Sequence, residues 1–259
     1  MSASAATDAA LFECRGLKAG YGEVTVVSSF ELAAEAGSIV AVLGPNGAGK
    51  TTVLLTMAGL LPAQAGSVSI AGELLRNGRP TAAARAGLVL VPDDRALFTT
   101  LTVEDNLRAA RGKRATTVDE ALDLFPVLGN RRRVTAGNLS GGEQQMLALA
   151  RALVQEPRVL LVDEMSMGLA PVVVEQLLPT VRRIADGTDA VVVLVEQHVG
   201  LALQVADRAM VLVHGEVVLD QPAAVLRADP ARLEDAYFGA APTSSGRGTS
   251  GATTGGMSA

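Results

Sequence analysis

Cysteine, aromatic residues and long apolar runs are all scarce in this chain of 259 residues. The single cysteine, Cys14, excludes an internal disulfide and fits a reducing compartment. The strongest apolar run, residues 190–195, has the length of a strand and falls well short of the ~20 residues that span a bilayer. The only basic run is residues 131–133, which we interpret as a solvated surface, and the net charge is −5. We therefore expect neither a membrane-spanning helix nor nucleic acid as the main partner.

The two ends of the chain differ in composition from its middle. Residues 1–10 are small and polar, with no basic segment leading into an apolar stretch, so they do not predict a secretory signal. Residues 241–259 are rich in Gly, Ser and Thr and contain one charge, Arg247. We predict that both ends are disordered. Because 49% of the chain is hydrophobic, a sizeable core is expected in one domain over residues 11–240.

Short apolar runs alternate with helical patterns along this domain. The runs have strand length and β-branched content, and they are residues 39–43, 88–91, 159–162, 191–195 and 210–213. This alternation predicts an α/β fold with a mostly parallel sheet. Glycine-flanked β-rich pieces at 66–72 and 214–219 predict antiparallel hairpins. From about residue 93 to 157 helical spacing replaces the strands, which predicts a helical subdomain inserted into the sheet domain.

A phosphate-binding loop is the most specific motif in the sequence. Residues 44–51 fit the pattern G-x-x-x-x-G-K-[ST], after an apolar strand and before a helix predicted over residues 51–61. The glycines let backbone N–H groups turn toward an anion, and the helix N-terminus adds its partial positive charge. The sequence therefore predicts an ATP or GTP site formed by Gly44, Pro45, Asn46, Gly47, Ala48, Gly49, Lys50, Thr51 and Thr52.

Two carboxylates complete this predicted site. Ligands bind beyond the carboxyl ends of the strands in open α/β sheets, and the strand at 159–162 runs directly into Asp163 and Glu164. Asp163 and the Thr51 hydroxyl can hold a magnesium ion. Glu164 can orient an attacking water or accept its proton. Lys50 would reach the β- and γ-phosphates. The alternative, a strand that simply ends in surface acids, is common where no phosphate loop precedes it.

A second anion site is predicted at residues 140–143. Ser140 and Glu143 have the spacing of a capping box at a helix N-terminus. Gly141 and Gly142 follow the cap and leave backbone N–H groups uncovered. The alternative is a well-capped helix that binds nothing. Since the phosphate loop already provides one anion site, this spare site indicates a phosphate held by another molecule.

The order of these motifs resembles that of ABC-transporter ATPases over about residues 11–240. Residues 139–144 resemble the signature motif of that family, with the phosphate loop before them and the acidic strand end and His198 after them. The resemblance implies a P-loop NTPase with a RecA-like core, which binds ATP and Mg²⁺. It also implies two ATPase domains head to tail, so that each ATP lies between the phosphate loop of one and the signature motif of the other.

The resemblance also implies roles for single residues. Tyr21 matches the aromatic residue that stacks on adenine, and Asp163 matches the magnesium ligand. Glu164 matches the catalytic base, and His198 matches the switch histidine that contacts the γ-phosphate. By itself, His198 after a strand would be an ordinary polar residue, so its assignment depends on the register of the whole motif set.

Three finer segments resemble the smaller ATPase of branched-chain amino acid importers, namely residues 164–171, 195–198 and 236–239. Relatives that import urea or short amides look nearly the same. The resemblance implies transmembrane permease subunits, a sister ATPase in a heterodimer or else a homodimer, and indirect work with an extracytoplasmic binding protein. It implies a peripheral position on the cytoplasmic face of the membrane.

Three residues depart from the pattern of the family. Asp93 occupies the loop position where relatives have glutamine or glutamate; it is the third candidate magnesium ligand, and it is one methylene shorter than glutamate. Met165 replaces a usual proline. Ala170 stands where many relatives have aspartate, and this replacement is typical of the subfamily.

Three functions stay open at this point. The first is an ATPase that drives a permease. The second is an ATP-gated clamp that hardly hydrolyses ATP and pairs with an active sister, which Asp93 favours and the retained Glu164 and His198 oppose. The third is an ABC ATPase that acts on DNA or ribosomes, although such proteins usually have two cassettes or a long coiled coil, and this sequence has neither.

Overall fold

The computed structural model of the chain describes residues 10–111 and 116–239. The ends predicted to be disordered, residues 1–10 and 241–259, lie outside these residues except for residue 10, and their disorder stays a prediction. The described strands are β1 Phe12–Tyr21, β2 Val24–Val27, β3 Leu32–Ala34, β4 Ile39–Leu43, β5 Ala65–Ile70, β6 Glu73–Leu74, β7 Leu88–Val91, β8 Val159–Asp163, β9 Val191–Glu196, β10 Arg208–Val213 and β11 Glu216–Pro222. The described α-helices are α1 Lys50–Met57, α2 Pro80–Arg85, α3 Val103–Ala110, α4 Val118–Leu124, α5 Pro126–Gly129, α6 Gly141–Leu153, α7 Pro171–Thr188, α8 Val199–Val205, α9 Ala223–Ala228 and α10 Ala231–Gly239.

A six-stranded sheet with the order β11-β10-β4-β9-β8-β7 forms the centre of the molecule. Neighbouring strands from β10 to β7 are parallel, and β11 joins the edge in antiparallel orientation. The strands predicted from the five apolar runs are present as β4, β7, β8, β9 and β10. The predicted α/β fold with a mostly parallel sheet is therefore confirmed.

Both faces of this sheet are buried. Along β4, Ile39, Ala41 and Leu43 pack on one side with residues of α6 and α7. Val40 and Val42 pack on the other side with residues of α1 and of a second sheet. Because neither face meets water, the central strands consist of continuous apolar runs.

The second sheet is antiparallel, with the order β2-β1-β5-β6 and with β3 also paired to β1. The sequence analysis does not predict its longest strand, β1. The buried side chains of β1 are those of Phe12 and Cys14 before Gly16, and of Leu17 and Ala19 after it. The alternation therefore changes phase within the strand, where its pairing with β5 shifts register. This break hides β1 from a search for period-two alternation.

Helix α1 is shorter than predicted. The apolar spacing predicts a helix over residues 51–61, but α1 ends at Met57. Gly59 follows in the left-handed region with a φ of 71°. The N–H of Leu60 donates to the carbonyl of Leu55 at 2.9 Å, and the N–H of Gly59 donates to the carbonyl of Thr56 at 3.0 Å. These two bonds form a Schellman motif, which ends the helix at this point. The apolar residues of the sequence continue beyond it, so their spacing predicts a helix that is too long.

Helices replace strands between β7 and β8, as predicted. Helices α3, α4, α5 and α6 occupy this stretch, and within its described residues the only β pairing is a single bridge between Thr102 and Thr135. The status of this stretch as a separate subdomain stays a prediction. In the described part of the chain, no helix combines the length and the apolar character needed to cross a membrane.

Both predicted hairpins are present, and one of them supports the phosphate loop. The hairpin β5–β6 turns at Gly72, and the hairpin β10–β11 turns at Gly215. The N–H of Gly215 donates to the carbonyl of Ala48 at 3.1 Å, and its carbonyl accepts from the N–H of Ser28 at 3.3 Å. A Cβ atom at Gly215 would lie 2.0 Å from the carbonyl oxygen of Val26. Only glycine fits this turn.

Replacing Gly215 should destabilise the fold more than replacing Gly72. Their φ angles of 79° and 78° are nearly equal, so alanine pays a similar left-handed cost of about 1–2 kcal/mol at both positions. At Gly72 a Cβ meets nothing within 4 Å, whereas at Gly215 it meets backbone. Urea unfolding should show Gly215→Ala losing roughly 1–3 kcal/mol more than Gly72→Ala. Equal losses in the free energy of unfolding would mean that the backbone moves to relieve the clash between the new Cβ and β2 without a measurable cost.

Candidate functional site

The phosphate loop connects β4 to α1 at the carboxyl edge of the parallel sheet. Gly44 directly follows β4, and a Cβ atom there would lie 2.1 Å from the carbonyl oxygen of Leu212 in β10. Pro45, Asn46 and Gly47 are exposed, so the outer part of the loop is open to a ligand. The loop that the sequence predicts for phosphate is therefore shaped on its inner side by the neighbouring strand.

Lys50 is buried beneath this loop. Its Nζ donates to the carbonyl oxygens of Gly44 at 2.9 Å and Pro45 at 3.1 Å. The same atom lies 3.6 Å from Oε1 of Glu164. These contacts satisfy a buried ammonium group and hold it against the carbonyl groups at the start of the loop. A phosphate in the loop would meet this positive charge, as the sequence predicts.

Asp163 ends β8 beside the loop and is 3% exposed. Burial raises the pKa of this carboxyl to about 6, and the negative charges of Glu164 and Asp93 add to the rise. The Thr51 hydroxyl and the Lys50 charge lower the pKa, but only in part. Its Oδ1 is buried and has no hydrogen-bond partner. A buried carboxylate oxygen without a donor, next to a hydroxyl, suits a hard cation such as Mg²⁺.

Few protein ligands surround this position. No group of three or more His, Cys, Asp or Glu side chains within residues 10–111 and 116–239 is arranged to hold a metal ion. Asp163 and Thr51 would thus supply the protein oxygens, with phosphate and water oxygens completing the octahedron, which is a usual arrangement for Mg²⁺. Asp93 is exposed, and its Oδ1 accepts the N–H of Asp94 at 2.9 Å. Its role as a magnesium ligand stays a prediction.

Glu164 is held in an uncommon backbone conformation. Its φ is 42°, in the left-handed region. Its N–H donates to the carbonyl of Val195 in β9 at 3.0 Å. Such conformations cost free energy and persist only where the surroundings enforce them. This bond to β9 fixes the residue that the sequence predicts as the base, with its carboxylate close to Lys50.

Two of the three residues that depart from the family pattern, Met165 and Ala170, lie in the segment after Glu164, and the structure gives a reason for Met165. Met165 is fully buried in the core shared with α6 and α7, where a flexible thioether side chain fills irregular space. Ala170 is the exposed N-cap of α7, and no side chain caps this helix. An aspartate at that position would provide such a cap.

A hydrogen-bonded group that the sequence analysis misses follows the same strand ends. Ser166 donates its N–H to Oε1 of Glu196 at 2.9 Å, and its Oγ lies 2.5 Å from Oε2. Its Oγ also lies 2.8 Å from Nδ1 of His198. The available signal is Glu196 itself, because it ends a strand that is otherwise entirely apolar. His198 is thus brought to the carboxyl edge of the sheet with Asp163 and Glu164.

The predicted capping box is present at the start of α6. Ser140 Oγ accepts the N–H of Glu143 at 3.3 Å, and Glu143 Oε2 accepts the N–H of Ser140 at 2.8 Å. Glu143 also pairs with Arg131 at 3.2 Å. Ser140 and Gly141 are exposed, whereas Gly142 lies against Val173 of α7. The helix start is therefore open to a second molecule, and its own cap occupies the side chains of Ser140 and Glu143.

Arg95 joins the Asp93 loop to α6, a contact that the sequence analysis also misses. Its Nε donates to Oε1 of Gln145 at 3.0 Å, and its Nη1 donates to Oε1 of Gln144 at 3.0 Å. Both glutamines lie in the first turns of α6. These two bonds tie the Asp93 loop to the start of that helix.

Tyr21 lies at the end of β1, opposite Val24 of β2. It is 52% exposed, so its ring presents an open face. The antiparallel sheet that carries it contacts the phosphate loop, because Val27 of β2 lies over Gly49. This placement fits the stacking role predicted for Tyr21, which stays a prediction.

Comparisons with known proteins agree with this geometry. A family model described as ABC transporter matches residues 27–167. The high-affinity branched-chain amino acid transport ATP-binding protein BraG of Pseudomonas aeruginosa is 38% identical, over 85% of this chain and 95% of that protein. The probable branched-chain amino acid transport ATP-binding protein LivF of Archaeoglobus fulgidus is 36% identical, over 79% and 89%. The structure of cbiO1 from Clostridium perfringens, part of the ABC transporter complex cbiONQ, has a TM-score of 0.76 at 20% identity, over 88% and 94%, and supports the fold alone.

Asp163→Asn should stabilise the metal-free protein at alkaline pH. The carboxyl has its ordinary pKa of 3.8 when unfolded and about 6 when folded. Its contribution to stability is therefore present below pH 3.8 and is lost as the pH rises through 6. At pH 8 the variant should gain up to roughly 3 kcal/mol in the free energy of unfolding, and this gain should fade near pH 4.

Urea unfolding in EDTA between pH 4 and pH 8 measures this difference. The exposed Asp123 on α4 provides the control, because Asp123→Asn removes a charge from the surface. A stability gain for Asp163→Asn that does not depend on pH would contradict the burial of an ionised Asp163.

Proposed function

This chain belongs to the ABC transporter family, and we propose that, as the ATP-binding and ATP-hydrolysing subunit of such a transporter, it drives the import of branched-chain amino acids. Support for the cargo comes from the similarity to two relatives named for that transport, which extends over most of this chain. The observation that carries the enzymatic role is the meeting of Lys50, Asp163 and Glu164 at one edge of the sheet.

The catalytic steps follow from these three residues. Lys50 binds the β- and γ-phosphate oxygens over the loop, exchanging carbonyl contacts for contacts with anions. Mg²⁺, when bound through Thr51 and Asp163, would neutralise charge on the phosphates. Glu164 orients the attacking water and accepts its proton. Little covalent chemistry is required of the protein, because positioning and charge neutralisation carry most of phosphoryl transfer.

The second ATP contact comes from a partner subunit in this proposal. The start of α6, with Ser140 and Gly141 exposed, offers backbone N–H groups to the nucleotide held by a facing ATPase. A head-to-tail pair places each ATP between two subunits. We infer a sister subunit as the partner, as the resemblance of the sequence to the smaller ATPase of such importers suggests.

Coupling to transport requires permease subunits, which hold the chain at the cytoplasmic face of the membrane. The cargo is selected by the permease and by an extracytoplasmic binding protein, since this chain contributes the nucleotide site. Uptake of labelled leucine into vesicles that contain this chain with a candidate sister ATPase, permease and binding protein tests the proposal. ATP-dependent uptake of urea or acetamide in place of leucine would contradict the proposed cargo and would still support the proposed ATPase role.

Glu164→Gln should abolish hydrolysis while keeping ATP binding. The amide retains the size and polarity of the side chain but cannot accept a proton, so turnover should fall by about 10²–10⁴-fold. Binding of a fluorescent ATP analogue and size-exclusion chromatography should show an ATP-trapped dimer. Glu175→Gln, at an exposed position of α7, serves as the matched control. Normal turnover in Glu164→Gln would place the base on another residue.

Asp93→Gln and Asp93→Glu should raise permease-stimulated ATPase activity and leave ATP affinity nearly unchanged. The Asp93 carboxylate bonds locally to the N–H of Asp94. One added methylene moves the polar group by roughly 1.5 Å, and misplacements of about 1 Å can cost about 100-fold in a positioned reaction.

Steady-state ATPase assays with and without the permease measure this effect, and Asp94→Asn provides the control beside it. Reduced stimulation in both Asp93 variants would mean that Asp93 is already correctly placed. If the permease stimulates ATPase activity only in the Asp93→Gln and Asp93→Glu variants, the natural chain would be better described as the ATP-gated clamp that hardly hydrolyses ATP.

A further inference from the structure

The turn between β1 and β2 carries Tyr21 on an exposed tip formed by residues 21–25. Gly22 and Glu23 form the turn itself, and all five residues of the tip are exposed. Strand β2 is four residues long and forms an edge of its sheet. A short hairpin end of this kind is marginally stable by itself. Because burial contributes little here, the position of the tip depends on hydrogen bonds.

Gln64, which directly precedes β5, binds the tip through its side-chain amide. Its Nε2 donates to the carbonyl oxygens of Gly22 at 2.9 Å and Val24 at 3.3 Å. Its Oε1 accepts from the hydroxyl of Thr25 at 2.8 Å. A glutamine amide has two N–H donors and one carbonyl acceptor, and each of them is used. One side chain therefore joins the turn to the first residues of β2.

The backbone of Gln64 is itself held in place. Its N–H donates to the carbonyl of Lys18 in β1 at 2.9 Å. The preceding residue, Ala63, exchanges two hydrogen bonds with the side chain of Asn77, at 2.6 and 2.8 Å. A Cβ atom at Gly20 would lie 2.9 Å from Nε2 of Gln64, so glycine at that position leaves room for the amide. The side chain of Gln64 thus extends to the tip from a fixed base.

Strand β2 connects the tip to the phosphate loop. Val27 at the end of β2 lies against the loop, because a Cβ atom at Gly49 would be 2.6 Å from its Cγ2. Val24 is three residues away along β2, which is about 10 Å at the usual rise of a strand. Tyr21 is paired with Val24 and presents an exposed ring. The distance along β2 is comparable with the length of a nucleoside attached to phosphates in the loop.

We propose that Gln64 is a positioning residue for the nucleoside half of ATP, because it holds the tip where the ring of Tyr21 meets the base. This inference rests on the proposed function, in which the phosphates of ATP lie in the phosphate loop. A tip that is already held loses little conformational freedom when the nucleotide binds, and such preorganisation raises affinity. Gln64 lies outside the phosphate loop, so its effect is confined to the nucleoside.

Gln64→Met tests the proposal, because methionine keeps the length of the side chain and makes none of the three bonds. Affinity for ADP should fall by about tenfold, whereas affinity for inorganic pyrophosphate, which has no base, should change by less than about twofold. Displacement of a fluorescent ADP analogue measures both affinities. Gln155→Met is the matched control, since the amide of the exposed Gln155 donates to the carbonyl of Arg151 at the end of α6.

Tyrosine fluorescence reports the motion of the tip directly. The chain has two tyrosines and no tryptophan, so Tyr237→Phe leaves Tyr21 as the only source of this emission. In this background and without nucleotide, Gln64→Met should lower the fluorescence anisotropy of Tyr21, because a released tip moves on the nanosecond timescale. Gln155→Met should leave the anisotropy unchanged.

A double-mutant cycle links the bonds of Gln64 to the ring of Tyr21. Tyr21→Ala should weaken ADP binding, and Gln64→Met should weaken it no further in the Tyr21→Ala chain. Thr25→Val removes one of the three bonds from the exposed side and should cause a smaller loss than Gln64→Met. In ATPase assays Gln64→Met should raise KM and leave kcat nearly unchanged.

Unchanged ADP affinity in Gln64→Met would overturn the proposal. An equal loss of ADP and pyrophosphate affinity would also overturn it, because Gln64 would then support the fold in general. So would an equal loss of ADP affinity with and without the ring of Tyr21. If Gln64→Met melts at the assay temperature, Thr25→Val makes the same comparison.

The proposed function stands apart from these results. Hydrolysis that depends on Glu164 would still support it if Gln64→Met binds ADP as the natural chain does. A natural chain that neither binds ADP nor hydrolyses ATP would overturn both proposals.

Discussion

Parallel pairing of β4, β9 and β8 is the constraint on which the site depends. The register places Leu43 beside Glu196 and Val195 beside Asp163, so the three strands end at the same level of the sheet. Segments that leave parallel strands at their carboxyl ends emerge on one edge. The phosphate loop, the segment of Glu164 to Ser166 and the turn into α8 therefore meet there, although more than 100 residues separate the first from the second.

Three buried charges at this edge are accommodated in three different ways. Carbonyl groups of the phosphate loop surround Lys50, and donors from Ser166 surround Glu196. Asp163 keeps one oxygen without a donor, and burial of that carboxyl opposes folding when it is ionised. Unfavourable polar burial of this kind is a common feature of functional sites, where stability is lost in exchange for a group ready to bind.

Sequence reasoning identifies the parts of this protein whose signals are local. The central strands are apolar on both faces, and the phosphate loop and the capping box at Ser140 are short contiguous motifs. The strand β1 escapes it because alternation changes phase at Gly16. The bonds of Ser166 to Glu196 and of Arg95 to Gln144 escape it as well, since they join segments 30 and 49 residues apart. Such contacts depend on strand order and register, which the spacing of residues along the chain does not contain.

The turn at Gly215 bears on how far the phosphate loop can be treated as a transferable module. Its backbone links Ala48 in the loop to Ser28 after β2, so both sheets brace the inner wall of the loop. The shape of residues 44–51 is therefore a property of three chain segments that come from distant parts of the sequence. A graft of those eight residues onto another scaffold would transfer the motif without the backbone segments that shape it. Transplantation would also need the backbone around residues 26–28 and 212–215.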